Sequence, residues 1–131
     1  MITAIEAGAI PLIARVCLVV LFPFSALDKI VHWRAAMKQA ESSFIPGGAV
    51  LVVAAIAIEI AMPVCIVFGW YDRIAALVLA AFCVVTAVLY HPFWNFPDYW
   101  SPGDSEGRRH LWDFLKNFGL AGGLLLIAIA S

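Results

Sequence analysis

Apolar residues along this chain run in four long blocks, at roughly residues 9 to 31, 47 to 69, 73 to 91 and 112 to 130, with most of the charge in the stretches between them. Each block is near the ~20 residues that a helix needs to cross ~30 Å of hydrocarbon. The pattern predicts an all-α membrane protein, a single domain built as a four transmembrane helix bundle with both termini on one side. The first block reads as a span and not as a cleavable leader, because the segment before it carries Glu6 and no Lys or Arg, and Arg15 interrupts the run.

The connections have their own patterns. In "HWRAAMKQAESSF", Trp33, Met37, Ala40 and Phe44 fall at helical spacing with Arg34, Lys38 and Glu41 around the rest of the wheel, which predicts a short interfacial helix after the first span. The stretch "GWYDR", residues 69 to 73, is a tight turn on the terminus side. Residues 91 to 112 mix turn residues with Phe93, Trp94, Phe96, Tyr99, Trp100 and Trp112, aromatics of the kind that settle at headgroup level. Arg34, Lys38, Arg108 and Arg109 on the long-loop face, against Arg73 on the other, favour long loops in the cytoplasm.

Composition sharpens this picture. Of 131 residues, 64% are hydrophobic and 13% charged, which leaves too little polar surface for a water-soluble shell. Eight Lys plus Arg against nine Asp plus Glu provide no electrostatic footprint for nucleic acid, so the partner implied directly is the lipid bilayer. Cys17, Cys65 and Cys83 sit in three different spans at three depths, which argues for small packing residues and against a disulfide. In the fourth span Gly119 and Gly123 make a GxxxG spacing, suited to close helix packing inside the bundle or to a homodimer face.

Charge inside the spans is costly, about 2.5–3.5 kcal/mol per residue near mid-bilayer, so such residues should face the interior and find partners. Glu59, within "VAAIAIEIAMPV", is expected to form an ion pair with Arg15, whose backbone lies roughly 6 Å away in depth. Pro63, one turn on, is expected to loosen that helix. From this pair a polar line extends to Lys29 and His91 at the ends of the first and third spans and to Lys116 and Asn117 in the fourth. It is either structural, with snorkelling lysines, or a pocket or proton path. His32, His91 and His110 fall on the same face near acidic residues, but their spacing matches no metal motif, so no metal is assigned.

These residues together make the chain resemble the DoxX family of small four-span membrane proteins. The resemblance is carried by Arg15, by Lys29 in "FSALDKI", by Glu59 in "AIEIAMPV", by "DRIAAL" opening the third span, and by "YHPFW" and "FLKNFGLAGGLLL". One departure is "FPFSAL", with Pro23 and Ser25 where family members often carry glycine. The resemblance implies a bacterial cytoplasmic membrane location and a link with membrane redox systems, among them a quinone-reducing complex, without fixing a reaction.

It orders the functions to consider. The first is a redox-linked subunit that binds a quinone or similar molecule in the bundle. There Lys29, His91 and Lys116 would hydrogen-bond the carbonyls, Glu59 would exchange protons, and Phe93 and Trp94 would stack. Arg15 and Asn117 complete the candidate lining. The alternative is a non-enzymatic assembly factor, receptor or scaffold for a partner protein or redox complex; a transporter and a metal-site oxidoreductase follow.

Overall fold

A computed structural model describes residues 8–42 and 47–130. Glu6, Phe44 and Ser131 lie outside them. Among the described residues every regular element is helical: α1 (Ile10–Val19), α2 (Leu21–Val31), α3 (Trp33–Glu41), α4 (Gly48–Phe68), α5 (Asp72–Tyr90), a 3₁₀ turn at Phe93–Asn95, and α6 (Glu106–Ala130). Four stretches are long and apolar enough to cross a membrane, Ile10–Val31, Gly48–Phe68, Asp72–Asn95 and Glu106–Ala130. The all-α, four-span bundle is thus the fold, with α3 as the helix after the first span.

Three prolines have three outcomes. Pro11 falls in the first turn of α1, where a missing N–H costs nothing because that N–H has no intrahelical acceptor. Pro23 interrupts the first span, which divides at Val20 into α1 and α2; the ring removes the bond to the carbonyl of Val19 and crowds it. Pro63, expected to loosen the second span, lies buried in α4, which continues unbroken to Phe68. Spanning helices tolerate such a proline where neighbouring elements compensate for the lost bond.

The fourth helix begins at Glu106, six residues before the predicted span, so Arg108, Arg109, His110 and Trp112 are helical and not part of a loop. Ser105 caps it: its hydroxyl accepts the N–H of Arg108 (3.1 Å) and Glu106 complements the positive helix end. At 25 residues, α6 is about 37 Å long and exceeds the hydrocarbon thickness, so its first turns project toward the headgroups.

At the opposite face Gly69 (φ +75°) ends α4 in the left-handed conformation, and the N–H of Trp70 closes on the carbonyl of Cys65 (2.8 Å), a glycine-dependent helix stop. Three residues later α5 starts. The core lies in the terminus half of the bundle, where Val19, Phe22, Ile66, Ala76, Leu79, Cys83 and Leu124 are buried together. Reporters placed after Ala130 and within residues 101 to 104 are expected to give opposite sidedness in a topology assay; equal signals would remove a span.

Candidate functional site

The membrane charges pair, but not as the sequence suggested. Glu59, only 2% exposed, accepts a hydrogen bond from Lys29 Nζ at 2.7 Å, and Lys29 also donates to Ser25 Oγ at 2.8 Å. Arg15 instead donates to Asp72 Oδ2 (2.8 Å) and to the carbonyl of Ile66 (2.7 Å). The expected Arg15–Glu59 pair is therefore replaced by two pairs, one in each half of the bundle.

The reason lies in side-chain direction. Arg15 is little more than one turn from the start of α1 and reaches toward that nearer face, where α4 ends with carbonyls lacking helical partners and α5 begins with Asp72. Helical side chains slant toward their own N-terminus, so Lys29, at the end of α2, points back down the helix past Ser25 and into the interior. Depth counted along the backbone ignored both effects. Asp72 could have been found, since it is the carboxylate of the turn that follows Glu59's own helix.

Around Lys29 and Glu59 lies a cavity of about 220 Å³. Its wall includes Lys29, Glu59, His91, Lys116 and Asn117, five of the residues expected to line a pocket, together with Ser25, Gln39, Thr86 and Tyr90. Arg15 is at the other end of the bundle. Trp94 is also outside the wall: it sits half exposed on the 3₁₀ turn, edge-on to Phe93 and Phe114 at 5.3 and 5.7 Å. Phe93 likewise belongs to this aromatic cluster, with Phe114 at 5.1 Å and Tyr99 at 5.3 Å.

Asn117 and His91 are held in place by neighbours. Asn117 Nδ2 donates to Thr86 Oγ1 (3.3 Å), whose hydroxyl donates back to the carbonyl of Phe82 one turn earlier (2.9 Å). His91 ends α5 and meets His110 of α6 with their Nδ1 atoms 3.2 Å apart, so one nitrogen donates and the other accepts. Phe96 stacks on His110 at 5.0 Å, and Asp113 lies 3.9 Å from His91 and 3.5 Å from Lys116. Among the described residues no buried side-chain nitrogen or oxygen lacks a partner.

Two of the three histidines are thus brought together, while His32 lies beside Asp28 (4.0 Å). Among the described residues no three His, Cys, Asp or Glu side chains converge as metal ligands would. Cys83, read as a packing residue, is buried and also lines the cavity; with Thr86 and Tyr90 it forms an i, i+3, i+7 stripe on α5 that the helical period would have revealed.

The two glycines of the GxxxG spacing differ. A Cβ on Gly123 would lie 3.1 Å from Leu18 Cδ1, so Gly123 admits close packing of α1 inside the bundle, while Gly119 has open space around it. Of the three free thiols, Cys83 is buried and Cys65 partly buried, as packing residues would be, whereas Cys17 is exposed on α1.

The arrangement of spans and charges has known kin, and the DoxX family model matches residues 10–92. The chain belongs to the DoxX family. It is similar to the Escherichia coli K12 inner membrane protein YqjF, 33% identical over 120 residues, which cover 92% of this chain and 82% of that protein. It is also similar to inner membrane protein YphA of the same organism, 28% identical over 120 residues that cover 92% and 81% of the two chains. No solved structure matches. This DoxX protein is an integral, multi-pass protein of the bacterial cytoplasmic membrane.

Proposed function

We propose that this DoxX protein is a redox-linked membrane subunit that holds the head group of a quinone, or a ring of similar size and polarity, in the cavity around Lys29 and Glu59. The observation that carries this reading is the buried Lys29–Glu59 pair set in a cavity whose wall also presents Lys116, His91 and Asn117. A quinone offers two carbonyl acceptors on opposite ring edges, and this wall supplies donors from two helices, Lys29 of α2 and Lys116 and Asn117 of α6. At about 220 Å³ the cavity is smaller than the ~300–1,000 Å³ of drug-sized ligand sites, so it suits one ring.

The chemistry available to the residues is binding and proton handling. Lys29 and Lys116 carry N–H donors, Glu59 is a carboxylate within hydrogen-bond reach of a lysine ammonium, and His91 and His110 share a proton between nitrogens. Electrons would come from a partner in the same membrane.

The test is direct. Protein purified in mild detergent is extracted with solvent and the extract chromatographed for quinone, and short-tailed ubiquinone is then titrated against the stripped protein while melting is followed. Quinone in the extract and a raised melting temperature are expected. Asn117→Leu, which removes one ring donor without touching the Lys29–Glu59 pair, should weaken binding about tenfold, the equivalent of one hydrogen bond. An extract without quinone and a melting temperature indifferent to added quinone would defeat the reading.

A second reading, a scaffold for another protein or for a second copy of the chain, draws on Trp100 and Trp112, both largely exposed, and on the open flank of α6 at Gly119 and Gly122. A stoichiometric complex that survives quinone removal would favour it.

A further inference from the structure

The cavity wall is continuous on every side but one. Among the described residues α2 packs on α3 and α4, α4 on α5, and α5 on α6, whereas α6 has no comparable contact with α2 or α3. In the terminus half the ring is closed, because α1 packs on both α4 and α6 and Leu18 rests on Gly123. The break at Val20 imposed by Pro23 separates these two halves: α1 stays on α6, and α2 leans onto α4. A seam between α2 and α6 is the result, above the Leu18–Gly123 contact.

Two residues that line the cavity mark the edges of this seam. Leu21 on α2 is 41% exposed and Lys116 on α6 is 52% exposed, although both belong to the wall. Gly119, one turn from Lys116 toward Gly123, leaves the α6 edge without a side chain. Toward the long-loop face Ala36, Gln39 and Ala40 of α3 form part of the wall.

We propose that the cavity is loaded sideways from the bilayer, through the α2–α6 seam, and that its ligand is therefore a membrane-dissolved amphiphile whose polar ring sits at Lys29 and Glu59 while its apolar tail stays in the lipid. This rests on the reading of the cavity as a quinone-class site and specifies which members of the class fit: tailed ones. The physical argument is that a tailed ligand entering from water would have to bring its chain past α3 into a cavity with no room for it, whereas the seam leaves the chain in hydrocarbon. Lys116, at the mouth, can meet a polar head arriving at headgroup depth and follow it inward on its flexible stem.

The experiment uses the full chain in lipid nanodiscs and a benzoquinone whose isoprenoid tail ends in a diazirine. After illumination, labelled peptides are mapped by mass spectrometry, and quinone extracted from unilluminated samples is measured in parallel. Label is expected on the edges of the seam, around Leu21 and Phe24 of α2 and Gly119 of α6. Gly119→Phe, which hangs a ring into the seam from open space, should lower labelling at least tenfold; Leu21→Trp narrows the other edge and keeps the test alive if the first variant folds poorly. Retained quinone with label on α3 or on the outer faces of α4 and α5, or with labelling indifferent to both variants, would overturn the lateral route and leave the quinone reading standing. Absence of both retained quinone and labelling would overturn the quinone reading and the route with it.

Discussion

Replacing Lys29 by methionine is expected to destabilise the protein by about 3–5 kcal/mol, and replacing Glu59 by leucine in the same chain to recover most of that loss. Glu59 is 2% exposed and Lys29 contacts it at 2.7 Å, so the single change strands a buried carboxylate without its cationic partner; its removal in the double variant takes that burden away. Glu59→Leu alone should cost less, because Lys29 keeps Ser25 Oγ and a flexible stem that can turn toward the interface. Thermal melting of the wild type, both single variants and the double variant in one detergent measures the coupling. Two losses that simply add would show that the pair is not a unit, and the same cycle run on Arg15 and Glu59 should show no coupling.

Gly107→Ala should cost about 1–2 kcal/mol, although alanine is the better helix former. Gly107 is buried in the first turn of α6, and a Cβ there would lie 2.5 Å from Asp98 Oδ1, 2.6 Å from Phe96 Cβ and 3.0 Å from the backbone nitrogen of Tyr99. Overpacking of this kind costs ~1–3 kcal/mol, against at most ~1 kcal/mol gained in helix propensity. Two of the three obstacles cannot swing aside, so the segment from Phe96 to Tyr99 must lift from α6. That movement also loosens the Phe96–His110 stack and, through His110, the contact with His91 at the cavity. Gly119→Ala is the control: with nothing within 4 Å it should leave melting unchanged or slightly raised. A Gly107→Ala variant that melts like the wild type would mean that the loop does not rest on α6.

The two predictions together explain why the polar wall is rigid where it needs to be. Lys29 and Glu59 are held by each other and by Ser25, Asn117 by Thr86, and His91 by a loop clamped over a glycine. Lys116 is different: it is half exposed and, among the described residues, its ion pair runs along its own helix, to Asp113 at 3.5 Å. Fixed donors inside and an exposed lysine with a flexible stem at the edge accord with the proposed entry of a lipid-borne ring and its orientation afterwards.

The sequence by itself determined the four spans, the short helix after the first of them, and the family. These follow from local physics: hydrocarbon thickness sets span length, burial of charge demands an interior position, and helical period places Lys29, Glu59 and Asn117 on inward faces. Even the early start of α6 is legible in the Ser105–Glu106 cap signal. Only the tertiary structure decided who pairs with whom. Depth along the spans alone allows Arg15 to meet either carboxylate, and the choice turned on the slant of side chains, on the carbonyls left open at the end of α4, and on the lean of α2 after Pro23. The seam between α2 and α6 was likewise invisible in the chain, because it is a contact that fails to form, and the period of one helix says nothing about the distance to another.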